Sequence, residues 1–186
     1  MVTPNILAIS GSVRAASSNL NLLKAIENRL PPGMLRYSIG VDQLPPFNPD
    51  LDQAGMPVPE AVATFRRQIA DADAVLICTP EYAFGVPGTL KNALDWTVSS
   101  GSLNEKPVAA VTASPLYTGG DKAMASLLPT LKALGTRMPA PSSLCIPSIN
   151  KFLSAEGTFT DNQLAAQLQQ LMDHLVMRAS EHSIHS

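Results

Sequence analysis

The sequence predicts an α/β protein built as a three-layer, doubly wound, five-stranded parallel sheet with strand order 2-1-3-4-5. Three observations lead there. Residues 5–10 and 74–79 are continuous apolar runs rather than alternating ones, as strands covered on both faces are. Segments with helical spacing of apolar residues follow them. Strand and helix then alternate five times along the chain, which places helices on both faces of a parallel sheet.

The elements follow in order. The run Asn5-Ile6-Leu7-Ala8-Ile9-Ser10 ends at Gly11 and reads as a buried strand. Leu22, Leu23, Ile26 and Leu30 mark a helix that Pro31-Pro32-Gly33 stops. Residues 34–39 supply a second strand. Residues 42–57 are rich in Pro, Asp and Gly and without period, a loop long enough to suggest a functional lid or a subunit contact. Val58, Val62, Phe65 and Ile69 mark the next helix, and Ala74–Thr79 the next strand, closed by Pro80. Pro87 suits a first helical position, with Leu90, Leu94 and Val98 as a stripe behind it. Residues 106–113 form a further strand. Gly119 and Gly120 lead into a helix carrying Ala123, Leu127, Leu131 and Leu134. The last strand falls within 136–146, where Pro139 and Pro141 favour an edge, and Leu164, Leu168, Leu171 and Leu175 mark the final helix.

Composition narrows the function. The 186 residues, at 19.7 kDa, suit one domain spanning 1–186, and 45% hydrophobic against 15% charged residues excludes disorder. Thirteen Lys plus Arg against fifteen Asp plus Glu give a net charge of −2, which argues against a nucleic-acid footprint and against the strongly acidic surface of an electron carrier. Cys78 and Cys145 lie far apart in apolar stretches, and no His or Cys stands at metal-ligand spacing, so neither a disulfide framework nor a metal site is expected. No apolar run reaches the roughly 18 residues of a membrane helix, and Met1-Val2-Thr3-Pro4 carries no basic leader, so the expectation is a soluble cytoplasmic protein without nucleic-acid or membrane partners.

Ligands of an open parallel sheet bind beyond the carboxyl ends of its strands. Residues 10–19, 79–88 and 113–120 meet there. The first of these carries four serine hydroxyls, the Arg14 guanidinium and a helix N-terminus, which together suit a phosphate monoester. It is neither a Walker loop, for lack of Gly-Lys-Ser/Thr, nor Gly-x-Gly-x-x-Gly, since Val13 replaces the second glycine. A terminal phosphate, as in flavin mononucleotide, fits better than a dinucleotide pyrophosphate. Simple capping of the helix by Ser17, Ser18 and Asn19 is the plainer alternative, although it explains neither Arg14 nor the surplus hydroxyls. In the second segment Pro80 and Pro87 stiffen the loop, Gly85 and Gly88 permit close approach of a flat ring, and Tyr82 and Phe84 offer aromatic surface.

Three segments in register resemble the NADPH-dependent FMN reductase family, which includes chromate, quinone and azo-dye reductases: Gly11-Ser12-Val13-Arg14 to Asn19, Leu44-Pro45-Pro46-Phe47-Asn48, and Pro80-Glu81-Tyr82 through Leu90-Lys91-Asn92-Ala93-Leu94-Asp95-Trp96. The resemblance covers about the first two-thirds of the chain and implies a flavodoxin-like fold, bound FMN, NADPH or NADH as hydride donor, and a homodimer or homotetramer. It implies that Ser12, Arg14, Ser17, Ser18 and Asn19 hold the FMN phosphate. By the same token Pro80, Glu81, Tyr82 and Ala83 line the isoalloxazine, mostly through main-chain groups, and Ala113 and Ser114 close its other side or the ribityl chain. The helix from Leu90 to Trp96 would contribute to the dimer contact. Two departures stand out: Ala83-Phe84 occupy the place of the family's frequent Asn-Tyr, and residues 114–121 differ from the relatives' pattern, so acceptor preference and tetramer packing do not carry over.

Other residues have plainer readings. Tyr117 is equally a ring-stacking group or an ordinary loop aromatic. Trp96 reads as packing, Cys78 as an inert buried thiol, Glu81 as structural rather than a base, and His174, His182 and His185 as solvated. Asp42 follows a strand, where a ribose-binding acid stands in dinucleotide folds. The expected activity is hydride transfer from nicotinamide to flavin N5 and then to a quinone, free flavin, azo compound or metal anion, with no catalytic side chain of its own and no metal. The alternatives are a flavodoxin-type electron carrier and a flavin-free regulatory domain.

Overall fold

The computed structural model describes residues 3–14, 17–138, 140–154 and 158–185. Five strands, β1 (Ile6–Ser10), β2 (Leu35–Tyr37), β3 (Ala74–Thr79), β4 (Val108–Ala113) and β5 (Ser143–Ile146), form one sheet in the order β2-β1-β3-β4-β5. Every pairing is parallel, with Ile6 opposite Ala74 and Val75 opposite Val108. Five helices, α1 (Ser18–Glu27), α2 (Glu60–Ala70), α3 (Gly88–Asp95), α4 (Asp121–Ala133) and α5 (Asn162–His185), connect and cover the strands. This is the flavodoxin-like arrangement expected from the sequence.

Burial explains which strands were easy to read. All six residues of β3 and of β4 are buried, because both strands are central and lie between two helical layers. The strand β2 has three residues with only Leu35 buried, and β5 has four, mostly accessible, as suits two edges. Pro139, part of the argument for an edge, lies outside the described residues. Side chains alternate between two cores. Ile6, Ala8 and Leu76 meet Leu22, Leu23 and Ile26 of α1 and Leu168, Leu171 and Leu175 of α5. Leu7, Ile9 and Ile77 meet Val62, Phe65 and Ile69 of α2, Leu90 and Leu94 of α3, and Leu127 and Leu131 of α4.

One expectation needs correction and a second needs detail. The helix α3 ends at Asp95, so Val98 does not extend its stripe and is 62% exposed; the fully buried Trp96 fills that place instead. The second concerns residues 42–57, read as a loop without period, whose stretch 45–52 is tied down by side chains far along the chain. Trp96 Nε1 and Asn92 Nδ2 both donate to Pro45 O, at 2.8 and 3.0 Å, and Phe47 N donates to Asn92 Oδ1 at 2.7 Å. The Phe47 ring meets Trp96 edge-on at 5.0 Å. Further along, Arg66 Nη2 donates to both carboxylate oxygens of Asp52 at 2.8 Å, while its Nε donates to Trp96 O at 2.7 Å. A loop without period is here ordered by distant partners on α2 and α3.

Candidate active site

The carboxyl ends of β1, β3 and β4 bring together the three segments singled out in the sequence. Gly11 N donates to Cys78 O at 2.8 Å, so the first turn leaves the sheet in register with β3. Ser10 Oγ then braces the turn, donating to Ser12 O and accepting from Ser12 N at 3.1 and 3.3 Å, and Ser12 Oγ accepts from Arg14 N at 3.4 Å. Arg14 is exposed and has no ion-pair partner among the described residues. The amide of Val13 makes no hydrogen bond among the described residues, and in the first turn of α1 the amides of Ser18 and Leu20 make none there either, while those of Asn19 and Asn21 are taken up by Ser17. The turn thus carries free N–H groups, a helix N-terminus and one exposed guanidinium, a donor set that fits a dianionic phosphate.

The remaining loop residues divide. Ser17 is the N-cap of α1, its buried hydroxyl accepting from Asn19 N at 3.2 Å, so the capping reading holds for this serine. Ser18 opens the helix half-buried. Asn19 has its side chain engaged inside the protein. Its side chain turns inward, Nδ2 donating to Ala113 O at 3.3 Å and Oδ1 accepting from the Cys78 thiol at 3.4 Å. A buried amide must satisfy its polar atoms, and the ends of β3 and β4 offer the partners. Burial pushes the Cys78 thiol far above its ordinary range, which keeps it a neutral donor.

The segment after β3 folds back on itself. Tyr82 and Gly85 exchange both backbone hydrogen bonds, at 2.9 and 3.0 Å, around Ala83 and Phe84, whose φ values are 49° and 62°. Two consecutive left-handed residues define a type I′ turn, which normally prefers Asn-Gly. The tip leaves Phe84 79% and Tyr82 48% exposed. The amides of Glu81, Ala83 and Phe84 make no hydrogen bond among the described residues, so main-chain donors are available to a ligand there. The Glu81 side chain turns to α4, where Oε2 accepts from Lys122 N and Ala123 N at 2.9 and 3.0 Å.

After β4, Ala113 and Ser114 are both buried. Ser114 Oγ accepts from Leu116 N at 3.1 Å and Ser114 N donates to Ile146 O at 3.2 Å, while Leu116 and Tyr117 stand 64% and 86% exposed. The accessible surface of this segment is thus carried by Pro115, Leu116 and Tyr117. Farther off, burial and the Lys106 charge lower the pKa of His182, which is half-buried rather than solvated. The side chain of His185 lies outside the described residues. No group of three or more metal-ligating side chains occurs among the described residues.

A doubly wound sheet with a donor-rich turn after β1 and a tight turn with free amides after β3 defines a mononucleotide-binding α/β protein. Comparison makes this specific. The family model for NADPH-dependent FMN reductases matches residues 4–151, and the chain belongs to that family. An NAD(P)H-dependent FMN reductase of Pseudomonas aeruginosa is 34% identical over 172 residues, covering 91% of this chain and 92% of that one. The NADPH:quinone oxidoreductase of Arabidopsis thaliana is 36% identical over 119 residues, covering 62% and 60%. The structure of FerB, a flavoenzyme NAD(P)H:(acceptor) oxidoreductase from Paracoccus denitrificans, superposes with a TM-score of 0.84 at 32% identity, covering 96% of this chain and 98% of that one. The protein is an FMN-dependent oxidoreductase that takes its electrons from NAD(P)H.

Proposed function

We propose that the enzyme reduces small oxidised acceptors of the quinone or free-flavin class, with azo compounds and metal anions in the wider range, in a site that holds FMN across all three loops. The observation that carries this reading is the convergence of unspent donors after β1 with the type I′ turn after β3, joined to the third loop by the Glu81 carboxylate. Ser12, Arg14, Ser18 and the first-turn amides of α1 take the phosphate, with Ser17 shaping that turn as its cap. The main chain of Pro80, Glu81, Tyr82 and Ala83 takes the ring edge, and the segment from Ala113 and Ser114 to Tyr117 borders the other side. Bound FMN supplies the redox chemistry, accepting hydride from nicotinamide and passing electrons on. The chain's own part is to orient the ring and leave one face open: Tyr82, Phe84 and Tyr117 give an exposed aromatic rim on which flat acceptors stack.

The accessible side of α3 at Lys91 and Asp95, with the exposed Val98 just beyond its end, borders a groove of about 780 Å³ that reaches the C-terminal end of α4, and we assign the homodimer contact to it. The resemblance to an oligomeric family supports this, as does the exposure of Val98. The cytoplasm, where NAD(P)H is held, is the compartment assigned; among the described residues no helix is long and apolar enough to cross a membrane. The test is an absorbance spectrum of the purified protein with FMN, followed by NAD(P)H oxidation with and without a benzoquinone. A flavin spectrum and acceptor-dependent turnover are expected, and a protein that neither binds FMN nor oxidises NAD(P)H overturns the reading.

A further inference from the structure

A second hollow opens beside the phosphate turn. The strand β2 ends at Tyr37, and Ser38 N donates to Ala8 O at 3.0 Å, which leads the chain across the end of β1 into the short turn Val41–Gln43. Between this segment and the start of α1 lies a cavity of about 300 Å³, walled by Ser10, Ser12, Leu20, Tyr37, Gly40 and Asp42 among others. Its wall includes one carboxylate, that of Asp42, and neither Lys nor Arg. Asp42 makes no hydrogen bond or ion pair among the described residues. Its Oδ1 lies over Gly40, where a Cβ would come within 2.4 Å of it. The φ of −60° at Gly40 is open to any residue, so the glycine makes room for the carboxylate rather than for a turn. The Tyr37 hydroxyl donates to Glu27 Oε2 at 2.8 Å, which fixes the ring as one wall.

Each feature points to one chemistry. An exposed carboxylate in the turn that follows the second strand, without a partner among the described residues, can accept two hydrogen bonds from vicinal hydroxyls and repels a phosphate in their place. A fixed aromatic ring with Leu20 offers a base an apolar seat. The volume is at the lower end of small-molecule pockets and suits a nucleoside. We propose that this hollow binds the nucleoside end of a dinucleotide, with a free ribose 2′,3′-diol on Asp42 and the base against Tyr37 and Leu20. The inference rests on the oxidoreductase reading above. The source of that nucleoside is NADH as hydride donor to the bound FMN, and the carboxylate excludes a 2′-phosphate from the site.

Calorimetric titration of the FMN-loaded enzyme with ADP-ribose and with 2′-phospho-ADP-ribose tests it. ADP-ribose is expected to bind roughly tenfold more tightly than its 2′-phosphorylated form, the scale of one charge-assisted hydrogen bond. The variant Asp42→Asn should lose that margin and Asp42→Lys should reverse it. In the kinetic arm, a rise in the NADH KM of Asp42→Asn with unchanged FMN affinity assigns the hollow to the donor. No ADP-ribose binding, equal affinity in wild type and Asp42→Asn, or preference of the wild type for the 2′-phosphorylated form overturns the proposal. The wild-type FMN titration and NAD(P)H oxidation report separately on the underlying reading: if those succeed and the Asp42 effects are missing, only the nucleoside site falls.

Discussion

The Glu81 carboxylate caps α4 from another loop, its Oε2 lying 3.0 Å from Ala123 N. The helix cannot cap itself, because its N-cap is Gly120, at φ 82° and without a side chain. A negative charge at a helix N-terminus is favoured by the unspent amides and by the helix dipole. The contact therefore does two things at once: it stabilises α4, and it ties the ring loop after β3 to the loop after β4.

Removing the cap should show both effects. Glu81→Ala is expected to cost about 1 kcal/mol of stability, a drop in Tm of about 2–4 °C, and to raise the FMN Kd because the two loops lose their tie. Glu81→Gln keeps an acceptor oxygen without the charge and should lie between. A Tm that falls while FMN titrations stay unchanged would show that the cap serves the helix alone.

Arg14 is exposed and has no ion-pair partner among the described residues, so its charge is available to a ligand. Arg14→Ala should weaken FMN binding by about 1–3 kcal/mol, the range for hydrogen bonds to charged groups. Riboflavin, which lacks the phosphate, should bind wild type and variant alike. Equal FMN affinity in fluorescence titrations of the two proteins would remove Arg14 from the phosphate site.

Ala83 carries backbone strain, since φ 49° is a conformation that a Cβ disfavours. Asn tolerates it better through its short polar side chain, and is the residue frequent in the family at this place. Ala83→Asn should raise Tm by about 2–4 °C, corresponding to about 1 kcal/mol. A lower Tm would mean that the tip is held in this shape by something other than its own turn.

How much of this was legible in the sequence depended on distance along the chain. The strands β1, β3 and β4 announce themselves because burial on both faces demands continuous apolar runs. The edges β2 and β5 are short and half-exposed, so their limits were overdrawn. Ser12, Arg14 and Ser17 were legible as a donor-rich turn, whereas the inward turn of Asn19 was not, because its partners Cys78 and Ala113 lie 59 and 94 residues away. The same holds for Glu81, whose structural role was expected but whose partners are 41 and 42 residues on. The clamp on residues 42–57 is the extreme case: Pro45 contributes only a carbonyl, and no composition rule marks a carbonyl as an anchor.

That clamp supports a pH prediction. Burial alone would raise the pKa of Asp52, but the hydrogen bond from Ser99 and the pairing with Arg66 outweigh it and hold the carboxyl below its ordinary 3.8. The unfolded chain thus binds a proton at Asp52 more readily than the folded one, and stability rises with pH across the interval between the two values. The contribution is complete above about pH 4 and is lost as pH falls through the folded-state value. Asp52→Asn should flatten this part of the pH profile of Tm, and Asp52→Ala should cost on the order of 3 kcal/mol at neutral pH, because Arg66 keeps a largely buried charge without its partner. Thermal unfolding of wild type and Asp52→Asn between pH 2.5 and 6 measures it. Parallel profiles would show that the loop is held by Trp96 and Asn92 alone.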